Sequence, residues 1–201
     1  MIEPWQIAQS TWLLRSGFMD IRRDRCRKPD GSRTRDYFGL DLKDFCVVVA
    51  ITPRLEILVI REYKHGVRAV TRTLPAGFIE PSEVPEEGAR RELLEETGYS
   101  APGFLSLGTF VLVPDLSSCR GHVFLAREAR AMGAPHPDAD EEIEVEAVPL
   151  ASLLIPAMTA GEGYLNDASS LLALNMARFH LEAMADAGKS GVRKDASPGE
   201  A

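Results

Sequence analysis

The chain has 201 residues, 45% of them hydrophobic and 26% charged, a balance typical of one globular domain with a single main core. Its 30 acidic residues outnumber 23 lysines and arginines, and the net charge of -7 argues against a nucleic-acid partner. No segment is apolar over the length of a membrane helix, and the first residues lack the basic-then-apolar order of a signal peptide, so neither membrane insertion nor secretion is expected.

Residues 1–44 are predicted to form a small antiparallel β element. Strand-like pieces surround Trp12 and Phe18, and a turn separates them from another strand-like piece at residues 35–40. The main domain is expected over residues 45–185. It opens with two runs that are apolar on both faces, residues 45–51 and 56–60, and these predict adjacent central strands of a sheet.

A short, highly charged helix is predicted over residues 85–97. Ala89 and Leu93 are four residues apart and would share its buried face, and Gly98 is well suited to end it. Gly88 is unfavourable at this position, because glycine costs about 1 kcal/mol relative to alanine inside a helix.

The rest of the chain predicts three strands and a final helix. The strands cover residues 104–112, 122–126 and 143–148. The helix begins near Asn166 and Asp167, which are both good N-caps. Its predicted apolar stripe consists of Ala168, Leu172, Met176, Phe179 and Ala183. Residues 186–201 have little apolar surface to bury, so we expect a mobile tail there.

The cysteines and histidines offer no obvious site. Cys26, Cys46 and Cys119 are odd in number, far apart and in no metal-ligand spacing, which indicates a reducing, cytoplasmic setting. The four histidines also lack ligand spacing.

The chemistry is concentrated on the helix predicted at residues 85–97. Glu92 and Glu96 are one turn apart and project from the same face, with Glu95 beside them. The helix carries five glutamates against two arginines, so we expect a cation at this face. Oxygen ligands favour Mg2+ or Mn2+. The alternative is an ordinary solvated acidic face.

The spacing favours the metal site over that alternative, because the segment resembles the Nudix box, Gly-x5-Glu-x7-Arg-Glu-U-x-Glu-Glu-x-Gly-U with U apolar. The matching residues are Gly77, Glu83, Arg91, Glu92, Leu93, Glu95, Glu96, Gly98 and Tyr99, of which Tyr99 is the loosest. The flanking segments at residues 61–67, 74–77 and 113–120 are similar to the ADP-ribose pyrophosphatase branch of the family.

This resemblance implies an α/β/α sandwich around a mixed sheet, with an N-terminal antiparallel element that commonly builds a homodimer. It implies Mg2+-dependent hydrolysis of a nucleoside diphosphate sugar, with Mn2+ as a substitute ion and ADP-ribose, cleaved to AMP and ribose 5-phosphate, as the first candidate. The alternatives are GDP-mannose or another sugar nucleotide as substrate, and a non-catalytic Nudix module that senses a nucleotide.

The resemblance also implies roles for particular residues of the box. Glu92 and Glu96 would be the main metal ligands, Glu95 would join an additional ion, and the backbone carbonyl of Ala76 would complete the set. Arg91 would orient these carboxylates through charge-assisted hydrogen bonds. Gly77 is expected to permit the turn that brings the Ala76 carbonyl to the metal.

Substrate contacts outside the box are also implied by the resemblance. Phe18 and Tyr37 best match two rings, one from each subunit, that sandwich the base, and core packing is the alternative for each. Lys64 stands where the branch often has an arginine that contacts the diphosphate, and it lacks the arginine's bidentate fork. Arg61, Arg68 or Arg72 would compensate for that loss, and Ser118 would line the sugar.

A loop glutamate outside the box is expected to act as general base in enzymes of this kind. The acidic run at residues 138–142 lies in the matching region, just before a predicted strand. We favour Glu141 over Glu142, because alternation along the strand puts Glu141 on the inward side with Ile143. The alternative is an exposed acidic loop that only aids solubility.

Overall fold

The computed structural model describes residues 1–138, 141–154 and 165–192, and within them the chain forms twelve strands and three helices. These are β1 Gln6–Arg15, β2 Asp20–Arg27, β3 Arg33–Asp41, β4 Phe45–Ile51, β5 Glu56–Lys64, β6 Ala69–Thr73, β7 Ala76–Phe78, α1 Pro85–Thr97, β8 Tyr99–Ser100, β9 Gly103–Val111, β10 Arg120–Arg127, β11 Arg130–Ala131, β12 Ile143–Pro149, α2 Leu150–Leu154 and α3 Ala168–Val192. In this part of the chain, no helix is long and apolar enough to cross a membrane.

The N-terminal strands form the predicted antiparallel element, a three-stranded sheet in the order β1-β2-β3. Phe18 lies in the tight connection between β1 and β2, not in a strand, and Gly17 beside it adopts a positive φ of 79°. The backbone N–H of Leu40 donates to the carbonyl of Leu116 at 2.7 Å, so this small sheet is tied to a loop of the main domain.

The main domain is built on a seven-stranded mixed sheet. Its path is β12-β5-β4-β10-β9, with β6 paired to β5 and β7 paired to β4. The β10·β4 pair is parallel, and the other pairs are antiparallel. The predicted adjacency of β4 and β5 is confirmed, whereas β6, β7, the small β8·β11 pair and α2 had not been predicted.

Helices cover both faces of this sheet. On one face, Cys46, Val48 and Leu58 pack with Ala89 and Leu93 of α1. The alternate residues of the same two strands point the other way and pack with α3; these are Val47, Val49, Ile57 and Val59, against Ala173, Leu174 and Ala177. The residue-by-residue alternation of β4 and β5 therefore decides which helix each side chain meets.

The predicted stripe of α3 is wrong except for Met176, which packs against the core, although the N-cap of the helix is confirmed. Asp167 Oδ1 accepts from the backbone N–H of Ser170 at 2.9 Å, and the Ser170 hydroxyl accepts from the backbone N–H of Leu74 at 2.9 Å. These bonds turn Ser170, Ala173, Leu174 and Ala177 toward the sheet and leave Phe179 exposed. The helix also runs to Val192, past the predicted start of the tail, and residues 193–201 lie outside the described part of the chain.

Candidate active site

The limits predicted for α1 are confirmed, and its end carries the acidic cluster. Pro85 opens the helix, and Gly98 closes it with a φ of 72° and a bond from its N–H to the carbonyl of Leu94 at 2.8 Å. Strand β7 lies over the same helix, and the backbone N–H of Ala76 donates to Glu96 Oε2 at 2.9 Å. The structure thus brings the predicted ligands of the helix and of the Ala76 segment together.

The three glutamates differ in exposure. Glu96 is buried, with 4% of its surface exposed, whereas Glu92 and Glu95 are half-buried and the side chain of Glu95 is the more exposed of these two. Burial raises the pKa of Glu92, and burial together with the charge of Glu92 raises the pKa of Glu96 well above its usual range. Two carboxylates held in this way are unfavourable when ionised, so they favour a bound cation.

Arg91 is the brace of the cluster. Its Nε donates to Glu83 Oε1 at 2.7 Å, and its Nη1 donates to both Glu92 Oε1 and Glu95 Oε2 at 2.8 Å. Its Nη2 donates to Glu83 Oε2 at 3.1 Å and to the carbonyl of Phe78 at 2.9 Å. All five N–H groups of the guanidinium are therefore used, and none is left for a substrate.

The partner of this brace is Glu83, which the box had left without a definite role. Its hydrogen bonds from Arg91 lower the pKa of Glu83 to about 2. Glu83 Oε2 also accepts from the backbone N–H of Glu80 at 3.0 Å. A Cβ on Gly88 would lie 3.3 Å from this same oxygen. The helix glycine that looked unfavourable in sequence thus allows the Glu83 loop to lie close against α1.

The role expected of Gly77 needs a correction. Gly77 lies inside β7, paired with Cys46 of β4, and its φ is outside the left-handed region. A special turn is therefore not what requires glycine here. The requirement is space, because the carboxyl group of Glu92 lies against the Gly77 backbone.

The acidic loop approaches the same cluster. The charge of Glu141 adds to the raised pKa values of Glu92 and Glu96, behind the larger contributions of burial. Glu141 is half-buried, whereas Glu142 is exposed. Ala139 and Asp140, the two residues that precede Glu141 in this loop, lie outside the described residues.

Lys64 faces the cluster from β5, together with Glu62, a residue that sequence reasoning missed. The positive charge of Lys64 opposes the rise in the pKa of Glu96, and that rise is due mainly to burial. Its Nζ lies 2.6 Å from Glu62, a buried carboxylate two residues earlier on the strand. The available signal was the Glu-x-Lys spacing, because residues two apart on a strand share a face.

Arg61 and Arg72 lie on the other side of the sheet. Arg61 alternates with Glu62 and pairs with Arg72 of β6. Arg61 Nη1 is 2.7 Å from Glu144, and Arg72 Nη2 is 2.5 Å from Glu146. The expectation that either arginine compensates for the lysine at position 64 is therefore not supported by the structure, because the two arginines follow the α3 face and Lys64 follows the α1 face.

The predicted base-stacking rings occupy separate places. Phe18 is 65% exposed and meets Phe78 edge-to-face at 5.5 Å, next to the acidic cluster. Tyr37 pairs with Asp24, well along β2 from the connection that holds Phe18. Tyr37 and Ser118 instead line a groove of about 370 Å3 between the N-terminal sheet and the loop at residues 113–118.

The donor set fits a hard divalent cation. Glu92 and Glu96 offer carboxylate oxygens, and the backbone of Ala76, whose N–H donates to Glu96, lies beside them. Among the described residues, no three His, Cys, Asp or Glu side chains already surround one point. The residues thus suit an open site that shares its cation with a ligand and do not suit a closed structural cage.

Comparison with known proteins agrees with this architecture. Residues 43–167 match the NUDIX domain model. The chain is 34% identical over 108 residues to an ADP-ribose pyrophosphatase of Bacillus subtilis (strain 168), covering 53% of this chain and 58% of that protein. It is 31% identical over 103 residues to an ADP-sugar pyrophosphatase of Mus musculus, covering 49% of this chain and 47% of that protein. The chain thus spans about half the length of these relatives.

A solved structure shows the same fold over nearly the whole chain. The crystal structure of an ADP compounds hydrolase superimposes with a TM-score of 0.79, covering 92% of this chain and 97% of the other. The two sequences are 22% identical. The α/β/α arrangement and the small N-terminal antiparallel sheet are therefore those of a known fold.

Proposed function

The chain belongs to the Nudix family, and we propose that it hydrolyses the diphosphate bond of a nucleoside diphosphate sugar, with ADP-ribose as the first candidate and AMP and ribose 5-phosphate as products. The observation that carries this proposal is the pair of carboxylates Glu92 and Glu96, of which Glu92 is braced by Arg91 and Glu96 is buried beside Ala76. The names of the two relatives support the ADP-sugar class of substrate.

Mg2+, with Mn2+ as a substitute, is the proposed cation, and Glu92, Glu96 and the carbonyl of Ala76 would hold it. When bound, such an ion neutralises diphosphate charge and activates the attacking water. Glu95, whose side chain is more exposed than those of Glu92 and Glu96, suits an additional ion that arrives with the substrate. Arg91 keeps the carboxylates in place, since all of its donors are already engaged.

The bond change itself needs a base and a cation on the diphosphate. The water oxygen attacks one phosphorus, and the bond from that phosphorus to the bridging oxygen breaks. We assign the proton of the water to the carboxylate of Glu141, which lies near Glu92 and Glu96. The ammonium of Lys64 lies on the same face and would contact the diphosphate.

A homodimer would complete the base pocket. Phe18 lies beside the acidic cluster, whereas Tyr37 and Ser118 lie at the groove, so one chain does not place both rings around one base. The first strand of the N-terminal sheet and the residue before it also expose large apolar side chains, namely Trp5, Ile7, Trp12, Leu13 and Leu14. We therefore propose that a second copy contributes the second ring, and light scattering tests the dimer.

A substrate panel tests the function. ADP-ribose, GDP-mannose and other nucleoside diphosphate sugars are incubated with Mg2+ or Mn2+, and the products are separated by chromatography. We expect release of AMP from ADP-ribose. Faster cleavage of GDP-mannose would change the substrate, and binding of nucleotides without cleavage would favour the sensing module. We place the reaction in the cytoplasm, since all three cysteines are free.

A further inference from the structure

A buried carboxylate on β5 has no role in the chemistry described above. Glu62 is 7% exposed and lies between Thr71 of β6 and Ile143 of β12 in the sheet register. It shares a face with Leu58, which packs with Ala89 of α1. Glu62 is therefore on the side of the sheet that carries the metal-binding glutamates.

The cation bound to Glu62 is Lys64. The Nζ of Lys64 lies 2.6 Å from both carboxylate oxygens of Glu62. The Lys64 side chain is 47% exposed. Its ammonium therefore contacts the buried carboxylate of Glu62 and remains accessible to a ligand. A buried carboxylate needs such a partner, because an unpaired buried charge is strongly destabilising.

The position of the Lys64 ammonium is not fixed by the lysine side chain itself. Its four-carbon stem is flexible, and its ammonium is a compact charge without the fixed fork of a guanidinium. Without a tether, the ammonium would be attracted to Glu92 and Glu96, where it would compete with the divalent cation. The bond to Glu62 keeps it apart from those two carboxylates.

We propose that Glu62 is a positioning residue, which holds the Lys64 ammonium away from the metal-binding carboxylates and directed at the diphosphate of the ligand. This rests on the proposed function for the identity of the ligand. Glu62 would act through Lys64 alone, so the effect of removing its charge should depend on whether the lysine is present.

Binding of ADP in the presence of Mg2+, measured by titration calorimetry, tests this without turnover. The variants are Glu62→Gln, Lys64→Met and the double variant, in which neither charge is left unpaired. We expect each single change to weaken ADP binding by about tenfold, the loss of one charge-assisted contact, and the double variant to bind no more weakly than Lys64→Met. Glu144→Gln is the matched control, because it removes a glutamate–arginine pair from the opposite face of β5, and it should bind ADP as the wild type does.

A second readout follows the lysine itself. Acetylation of Lys64, measured by mass spectrometry relative to Lys28, should be faster in Glu62→Gln than in the wild type, because the amine is no longer held on a carboxylate. Equal acetylation rates, or losses of affinity that multiply in the double variant, would overturn the positioning role. If the effects of the two changes on ADP binding are coupled but the protein cleaves no nucleoside diphosphate sugar, only the proposed function is refuted. If the protein hydrolyses such a sugar but the two effects are not coupled, only the role of Glu62 is refuted.

Discussion

The carboxyl group of Glu92 occupies the space in which a side chain on Gly77 would begin. A Cβ atom on Gly77 would lie 2.1 Å from Glu92 Cδ and 2.2 Å from its Oε1. The glycine of the box and Glu92, the first of its proposed metal ligands, are thus in direct contact, although fifteen positions separate them in sequence. A backbone position without a side chain is what allows this carboxylate to reach the Ala76 segment.

The substitution Gly77→Ala should therefore impair chemistry more than folding. The added methyl group must displace Glu92, and the carboxyl end of a flexible side chain moves at low cost to the fold. We expect kcat to fall by about a hundredfold or more while the thermal unfolding midpoint changes by only a few degrees. Gly103→Ala is the control, because a Cβ there meets nothing within 4 Å. Full activity of Gly77→Ala would show that the position of Glu92 is not critical.

Replacing a single ligand should have a comparable effect. Glu92→Gln and Glu96→Gln keep the size of the side chain, but an amide is a weaker ligand for a hard cation. We expect each variant to lose nearly all turnover at saturating Mg2+ and substrate. Glu86→Gln is a suitable control on the same helix, since Glu86 is paired with Arg90. Activity within about tenfold of the wild type in both ligand variants would contradict the metal assignment.

The buried carboxylate of Glu96 should also make the metal-free protein sensitive to pH. Because burial raises its pKa, the folded state binds the proton of Glu96 more tightly than the unfolded state does. The contribution of Glu96 to the free energy of unfolding therefore falls as the pH rises above the ordinary carboxyl range. In EDTA, we expect Glu96→Gln to be more stable than the wild type at pH 7, with the difference shrinking toward pH 4. Urea denaturation across this range measures it, and a wild type that is more stable at pH 7 would oppose the assignment.

Glu141 and Glu142 should behave differently as general-base candidates. Glu141 is half-buried and its charge acts on Glu92 and Glu96, whereas Glu142 is exposed. We expect Glu141→Gln to lower kcat by about 10² to 10⁴ with little change in KM, and Glu142→Gln to stay within a few-fold of the wild type. Steady-state kinetics of both variants decides the matter. A loss confined to Glu142→Gln would reverse the assignment, and no loss in either would place the base elsewhere.

Phe18 should affect binding more than catalysis. A stacked base is held in the ground state as well as in the transition state, so Phe18→Ala is expected to raise KM by about tenfold and to leave kcat within a few-fold of the wild type. Phe179→Ala is a matched control, since its ring is 63% exposed on α3, away from the acidic cluster. An unchanged KM in Phe18→Ala would indicate that this ring only packs against Phe78.

Local signals in the sequence were sufficient to predict the helix and the strands that carry the site. The limits of α1 were predicted correctly, because a proline at its start and a glycine at its end act within the helix itself. The buried strands β4 and β5 were recognised from their continuous apolar runs. The spacing of Glu92 and Glu96 placed them on one face of a helix, and only the helical repeat is needed for that.

The tertiary structure decided which neighbour each face meets. Arg61 and Lys64 are three residues apart on one strand, yet their side chains lie on opposite sides of a sheet covered by different helices. The exposed position of Phe179 likewise depends on the bond between Ser170 and Leu74, which are far apart in sequence. A repeat along the chain specifies which residues share a face, and it contains no information about the element that covers that face. Two features therefore required the folded structure: the contact with Glu92 that explains the glycine at position 77, and the location of Glu62 on the face of the sheet that α1 covers. Both depend on contacts between residues that are far apart in sequence.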